Sequence, residues 1–215
     1  MHKGIVVRAG RGWGKAMVER LIGAGVEVVA YSGSERKLEA LQAALPSPLL
    51  TTARGDAGNP GELLAAAQDA EVIFCGVGLT YDDKPEKVRR MLEAVRHVAA
   101  ATGAKTVIVE GVYGPSGETT SAANPPGFNE MRIFSPELYG EGASNTLLHY
   151  ALRKMVRGKP VKRLVDPSVR REYVSVDDAA RFALELASAE SAYGREWRLP
   201  GSGPISQTEL LGLAA

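Results

Sequence analysis

The chain predicts an α/β fold built on a doubly wound parallel sheet, and three features of its 215 residues carry that expectation. Runs rich in Val and Ile alternate with helix-like segments, the pattern of parallel strands joined by crossover helices. The strand-like runs are continuously apolar, as expected when helices cover both faces of a sheet. The first run, Ile5-Val-Val-Arg-Ala9, opens through Gly10-Arg-Gly-Trp-Gly14 straight into the amphipathic pattern that starts at Lys15.

The elements follow in order. Strands are expected over Gly4–Val7, Val26–Tyr31, Leu49–Thr52, Glu71–Cys75 and Thr106–Val112, and helices over Lys15–Ala24, Glu35–Ala44, Gly61–Ala67 and Glu86–Ala101. In the last helix Val88, Met91, Leu92, Val95, Val98 and Ala99 form an i, i+3, i+4, i+7 stripe, which reads as core packing. Gly114 to Gly127 is glycine, proline and small polar residues with little to bury, the composition of a mobile loop. Beyond it come a strand Met131–Phe134, the turn Tyr139-Gly-Glu-Gly142, a helix Asn145–Val156, a strand around Glu172–Val176 and a helix Val176–Ser188. Asp177 and Asp178 sit where acids complement the dipole at the start of that helix. A strand Glu196–Leu199 and a helix Ser206–Leu213 complete the pattern, which stops within a helical run, as though the fold continued.

With 45% hydrophobic residues and a net charge of +1, the chain can bury one sizeable core. Balanced charge argues against a nucleic-acid partner, and Arg170-Arg171 with the lysines of 154 to 163 reads as a solvated surface. The single cysteine, Cys75, lies in the apolar run Val72-Ile-Phe-Cys75 and reads as a buried strand thiol, so neither a disulfide nor a metal framework is expected. The N-terminus lacks a basic-then-apolar leader and no apolar stretch is long enough to span a bilayer, so a cytoplasmic protein without membrane partners is expected.

The glycine cluster has the outline of a dinucleotide-binding turn. A diphosphate must approach main-chain N–H groups at a helix N-terminus, and Gly10, Gly12 and Gly14 remove the side chains that would block it. The spacing is Gly-x-Gly-x-Gly, one residue shorter than the usual Gly-x-Gly-x-x-Gly.

Several separated motifs together resemble the NAD(P)-dependent epimerase/dehydratase branch of the extended or atypical short-chain dehydrogenase/reductase superfamily. They are the glycine turn, Gly55-Asp-Ala57, Gly76-Val-Gly78, Val109-Glu-Gly-Val-Tyr-Gly114, Ser135-Pro-Glu-Leu-Tyr-Gly140, Tyr173-Val-Ser-Val-Asp-Asp178, Leu199-Pro-Gly201 and Ser206-Gln-Thr-Glu-Leu210. The resemblance spans nearly the whole chain and implies a Rossmann-like cofactor core over residues 1–134, with a small C-terminal substrate lobe over 135–215. It puts Gly10, Arg11, Gly12 and Trp13 at the diphosphate, Asp56 with Ala57 at the adenine, and Gly76, Val77 and Gly78 beside the cofactor ribose. Ser135, counted with the cofactor contacts, would lie near the substrate end, which Tyr139 and Asn145 would line. A homodimer through Glu86–Ala101 is common among such relatives.

An NAD-binding chain would carry an acid about 20 residues after the glycines, to grip the adenosine ribose. Here Ser32, Ser34, Arg36 and Lys37 stand in that region, a set suited to a 2′-phosphate and to NADP over NAD, although Ser34 and Lys37 also read as a helix cap and first turn. The family's usual Ser or Thr and Tyr-x-x-x-Lys helix are missing. Glu110-Gly-Val-Tyr113 occupies the hydroxyl position, and no such pair lies between Tyr113 and Met131. Tyr150-Ala-Leu-Arg-Lys154 has the spacing but falls on the wrong side of Tyr139-Gly140. Tyr113, at the carboxyl end of a central strand, is the stand-in acid/base, with pocket wall as its alternative role. His97 and His149 have no carboxylate or serine at triad spacing and read as surface or packing residues.

Two functions from different classes follow. One is an oxidoreductase or epimerase acting on a small hydroxy, keto or sugar-nucleotide-like substrate. The other is a non-catalytic, cofactor-binding redox sensor similar to the NmrA-like regulators; a shortened relative that no longer binds cofactor is a third.

Overall fold

The computed structural model describes residues 1–113, 129–161, 166 and 168–213. β1 (Lys3–Val7) leads to α1 (Gly12–Gly23), β2 (Glu27–Ser32) to α2 (Glu35–Ala44), β3 (Leu50–Arg54) to α3 (Pro60–Ala66), and β4 (Val72–Val77) to α4 (Pro85–Thr102). β5 (Lys105–Glu110) is followed by β6 (Glu130–Phe134), β7 (Glu137–Tyr139), α5 (Leu147–Met155), β8 (Arg170–Arg171) and β9 (Tyr173–Ser175). Then come α6 (Val176–Ala187), β10 (Glu196–Arg198), β11 (Ile205–Ser206) and α7 (Gln207–Leu213).

Seven strands pair in parallel in the order β3-β2-β1-β4-β5-β6-β10. Strand alternation divides the core into two layers. Ile5, Val7, Ile73, Cys75, Val77 and Ile108 face α3 and α4, whereas Val6, Phe74, Val107, Val109, Met131 and Ile133 face α1, α2 and α6. The stripe expected on α4 is buried as Val88, Met91, Leu92, Val95 and Val98. α6 buries Ala179, Ala180, Ala183 and Ala187, and such small side chains let it pack closely on α1, where Arg20 pairs with Asp177. Ser175 caps α6 by accepting from the Asp178 N–H, the helix start that the paired acids suggested.

The smaller elements form two short sheets, β7 with β9 and β8 with β11. α5 begins at Leu147, two residues later than the spacing predicts. Asn145 takes a positive φ of 56°, and Thr146 becomes the cap by accepting from the His149 N–H at 3.1 Å. β5 ends at Glu110, short of the expected Val112; the Gly111 N–H makes the last ladder bond to the Val77 carbonyl at 2.9 Å, and the Tyr113 N–H then bonds the Gly78 carbonyl in the turn after β4. The expected mobile loop, Gly114 to Gly127, lies outside the described residues. Among the described residues no helix is long and apolar enough to cross a membrane.

Candidate nucleotide site

In an open parallel sheet, ligands bind beyond the carboxyl ends of the strands where the strand order reverses. Here that point lies between β1 and β4, and the glycine turn sits on it. α1 starts at Gly12, three residues before the expected Lys15, with Gly12 at a φ of +55°. A Cβ on Gly14 would stand 2.6 Å from the Arg8 carbonyl oxygen and 2.9 Å from Ala9 Cα. Gly14 is therefore the residue that lets α1 press against the end of β1, despite the shortened spacing.

A groove of about 660 Å³ opens beside the turn and is lined by Gly10, Arg11, Ser32, Ser34, Lys37, Asp56 and Ala57. Its remaining wall includes Arg8, Asp82, Asp83, Lys84, Lys87 and Arg90. Gly10 is required for close approach, because a Cβ there would lie 2.7 Å from Lys37 Cβ. Burial, then the nearby charges of Arg11 and Arg8, pull the Lys37 ammonium below its ordinary range. Three cations thus crowd one end of the groove. Ser34 stands at the start of α2 without making a side-chain capping bond, and its N–H donates to Ser32 Oγ at 3.3 Å. The Asp56 carboxylate accepts from the Gly58 N–H and pairs with Arg90 at 3.1 Å. Tyr31 donates to the Asp56 carbonyl, and Gly55 makes room for that phenol, since a Cβ there would meet its oxygen at 2.2 Å.

A second cavity of about 60 Å³ lies on the other side of the turn, lined by Gly12, Trp13, Gly14, Gly76, Leu79 and Thr146. Trp13 is buried in it, and its Nε1 is without a hydrogen-bond partner among the described residues. Gly76 is covered by side chains: a Cβ on it would lie 2.7 Å from Leu79 and 3.0 Å from the indole.

Four of the expected cofactor contacts are placed elsewhere. Arg36 is exposed on the outer side of α2, because Leu38 and Leu41 turn that helix's other face inward. Val77 points into the α4 layer, as strand alternation after Ile73 and Cys75 requires. Gly78 serves as a turn, with a φ of +58° and its carbonyl accepting from the Tyr113 N–H. Ser135 is buried beside a different cavity, of about 550 Å³, with Glu110, Glu137, Arg171 and Arg198 at the ends of β5, β6 and β10. Arg171, read from the sequence as solvated, is thus half-buried. Tyr139 lines a fourth cavity against α7, together with Leu148, Arg170 and Leu213, and Asn145 is not part of that lining.

The Tyr113 oxygen accepts from the Leu147 N–H at 2.8 Å, at the start of α5. Burial, and then the nearby Glu137 carboxylate, push its pKa far above the usual tyrosine range. Near neutral pH it is a phenol and a proton donor. Tyr150 and Lys154 are neighbours on α5, with the ammonium 5.8 Å from the ring centre. His97 is exposed on α4, and His149 Nδ1 lies 2.8 Å from the Ala143 carbonyl. Cys75 is fully buried in β4, and desolvation raises its thiol to about 12.

Arg8, Asp82 and Asp83 also line the groove, outside the motifs that the sequence singles out. Arg8 takes a positive φ of 64°, and its guanidinium forks onto the Asp83 carboxylate, with one contact at 3.0 Å. Arg11 reaches Asp82 at 3.3 Å, and Asn145 donates to the same Asp82 oxygen at 2.7 Å. A signal was available: an arginine where an apolar strand meets its glycines, and an Asp-Asp pair just after the fourth strand.

These features define a Rossmann-like α/β protein with an electropositive groove at the sheet's switch point. The fold is shared with enzymes of the epimerase/dehydratase type. The NAD complex of dTDP-glucose 4,6-dehydratase from Bacillus anthracis is similar over 99% of this chain and 79% of its own, with a TM-score of 0.74 at 16% identity. The NADPH complex of a yeast methylglyoxal/isovaleraldehyde reductase is similar over 97% and 80%, with a TM-score of 0.76 at 12% identity. UDP-glucuronic acid 4-epimerase from Bacillus cereus, in complex with UDP-glucuronic acid and NAD, is similar over 98% and 81%, with a TM-score of 0.70 at 16% identity. No protein-family model matches the chain, and no curated protein matches it.

Proposed function

We propose that this chain is a nicotinamide-dinucleotide-binding protein of the epimerase/dehydratase type, with NADP(H) preferred over NAD(H). In this reading it acts as an oxidoreductase or epimerase on a small hydroxy, keto or sugar-nucleotide-like substrate. The observation that carries the reading is the convergence of Lys37, Arg11 and Arg8 around Gly10 in a groove that also presents Ser32 and Ser34. That is the donor set a 2′-phosphate and a diphosphate need, and the turn from β2 to α2, Ser32-Gly-Ser34, offers no acid to grip a free ribose hydroxyl pair. Gly10 and Gly12 leave main-chain N–H groups approachable at the start of α1. Asp56 and Ala57 form the adenine end, residues 1–134 hold the cofactor, and residues 135–215 supply the substrate side. When bound, the cofactor would supply or accept a hydride; the chain's part is to hold it, exclude water and move a proton.

Tyr113 is the proposed proton carrier, in the role of acid. Its raised pKa keeps the phenol protonated, so it cannot serve as the base, and the same rise makes it a weaker acid than a free tyrosine. The same observation favours a second reading, a non-catalytic redox sensor, because the phenol is already engaged by the start of α5 and the chain lacks the lysine that would lower its pKa. NADPH oxidation assayed against aldehydes, ketones and nucleotide-bound keto sugars separates the two. Turnover that falls at least about 100-fold in Tyr113→Phe supports the enzyme, whereas tight NADPH binding without turnover on any of them supports the sensor.

A further inference from the structure

Arg8, Arg11 and Asp83 line both the 660 Å³ groove and the 60 Å³ cavity, so they form the wall between the two. A dinucleotide laid along the glycine turn has to cross that wall, with its adenosine end by Gly10 and its other end by Gly12, Trp13 and Gly76. The wall is held by charge. The Asp83 carboxylate is buried and gripped by the Arg8 guanidinium, which also donates to the Gly76 carbonyl at 3.5 Å. Burial opposes the charge on Arg8, and Asp83 outweighs it, leaving the guanidinium pKa raised. Asp82 holds Arg11 on one side and Asn145 on the other, and the Tyr81 N–H donates to the Asn145 carbonyl at 2.9 Å. Two carboxylates of the loop after β4 therefore occupy the two arginines that a diphosphate would use. Beyond them Trp13 and Leu79 cover Gly76.

Resting on the cofactor reading above, we infer that the site in this closed form takes only the adenosine phosphate end of the dinucleotide, and that the Asp82–Asp83 clasp must yield its arginines before the diphosphate and the second nucleoside can enter. The diphosphate and the carboxylates are competing anions for Arg8 and Arg11. Binding of the complete dinucleotide therefore carries the work of opening the clasp, whereas binding of a fragment that ends short of the diphosphate does not. Because Asp82 also holds Asn145, the opening passes to the segment that leads into α5.

The test compares equilibrium binding of NADPH and of adenosine 2′-phosphate to the native protein, Asp83→Asn and Asp82→Asn. The native protein is expected to bind the two ligands within about tenfold of each other. Neutralising either aspartate should tighten NADPH by about tenfold, the gain when a state populated at a tenth becomes dominant, and shift adenosine 2′-phosphate less than twofold. If both variants still bind adenosine 2′-phosphate while NADPH is unchanged or weaker in both, the clasp is overturned and the cofactor reading stands. Should one variant fail to fold, which loss of adenosine 2′-phosphate binding would reveal, the other decides by the same comparison. If the native protein binds neither ligand, the cofactor reading fails and the inference falls with it.

Discussion

At the scale of single residues, the turn between β1 and α1 is shaped by two different glycine requirements. Gly12 needs its left-handed backbone, whereas Gly14 needs its missing Cβ. Gly14→Ala should therefore destabilise the fold by about 1–3 kcal/mol, since the atoms it meets are main chain, and thermal unfolding would register it. Trp13→Phe should be nearly neutral, within about 1 kcal/mol, because the lost apolar area is offset by removing a buried N–H that has no partner. Tyr113→Phe removes the acceptor for the Leu147 N–H and should cost about 1–2 kcal/mol; a native-like melting temperature would show that bond to be dispensable. Legibility at this scale followed period and chemistry. Cys75 and the α4 stripe were readable because burial follows strand and helix periodicity. The pairing of Arg8 with Asp83 was not, because two residues 75 apart in sequence carry no local sign that they meet, even where each stands out in its own segment.

At the scale of elements, β6 is tied to α4 by charge. Arg96 of α4 forks onto Glu130 with two contacts of 2.8 Å, and the fully buried Arg132 reaches the same carboxylate at 3.2 Å. Burial alone would raise the Glu130 pKa, but the two arginines hold it below its ordinary value of 4.5. A depressed carboxylate pKa means that the unfolded chain takes up the proton first as pH falls. The stabilisation is complete above about pH 4.5 and is lost as pH drops through the lower folded value. Glu130→Gln should cost about 3 kcal/mol at neutral pH, leaving two arginines facing an amide, and should flatten the acid limb of stability measured by denaturant titration. The order of strands and helices was legible because parallel strands buried on both faces read as apolar runs. The starts of α1 and α5 were not, because each is set by a residue with positive φ, Gly12 and Asn145, and by contacts that only the tertiary fold supplies.

For the whole molecule, the sheet order places the reversal point between β1 and β4, and the cationic groove lies there. The carboxyl ends of β5 and β6 carry a separate cavity, where Ser135 lies. The proposed binding of a nicotinamide dinucleotide by its adenosine 2′-phosphate end is best tested by calorimetric titration of cofactor-stripped protein with NADPH and NADH, repeated with Lys37→Glu. Lys37 is only half-buried, so the substitution probes the ligand more than the fold. NADPH is expected to bind with Kd on the order of micromolar, NADH more weakly by about tenfold or more, as loss of a charge-assisted contact implies, and the difference is expected to vanish in Lys37→Glu. Equal affinity for the two nucleotides, or no heat with either, would contradict it.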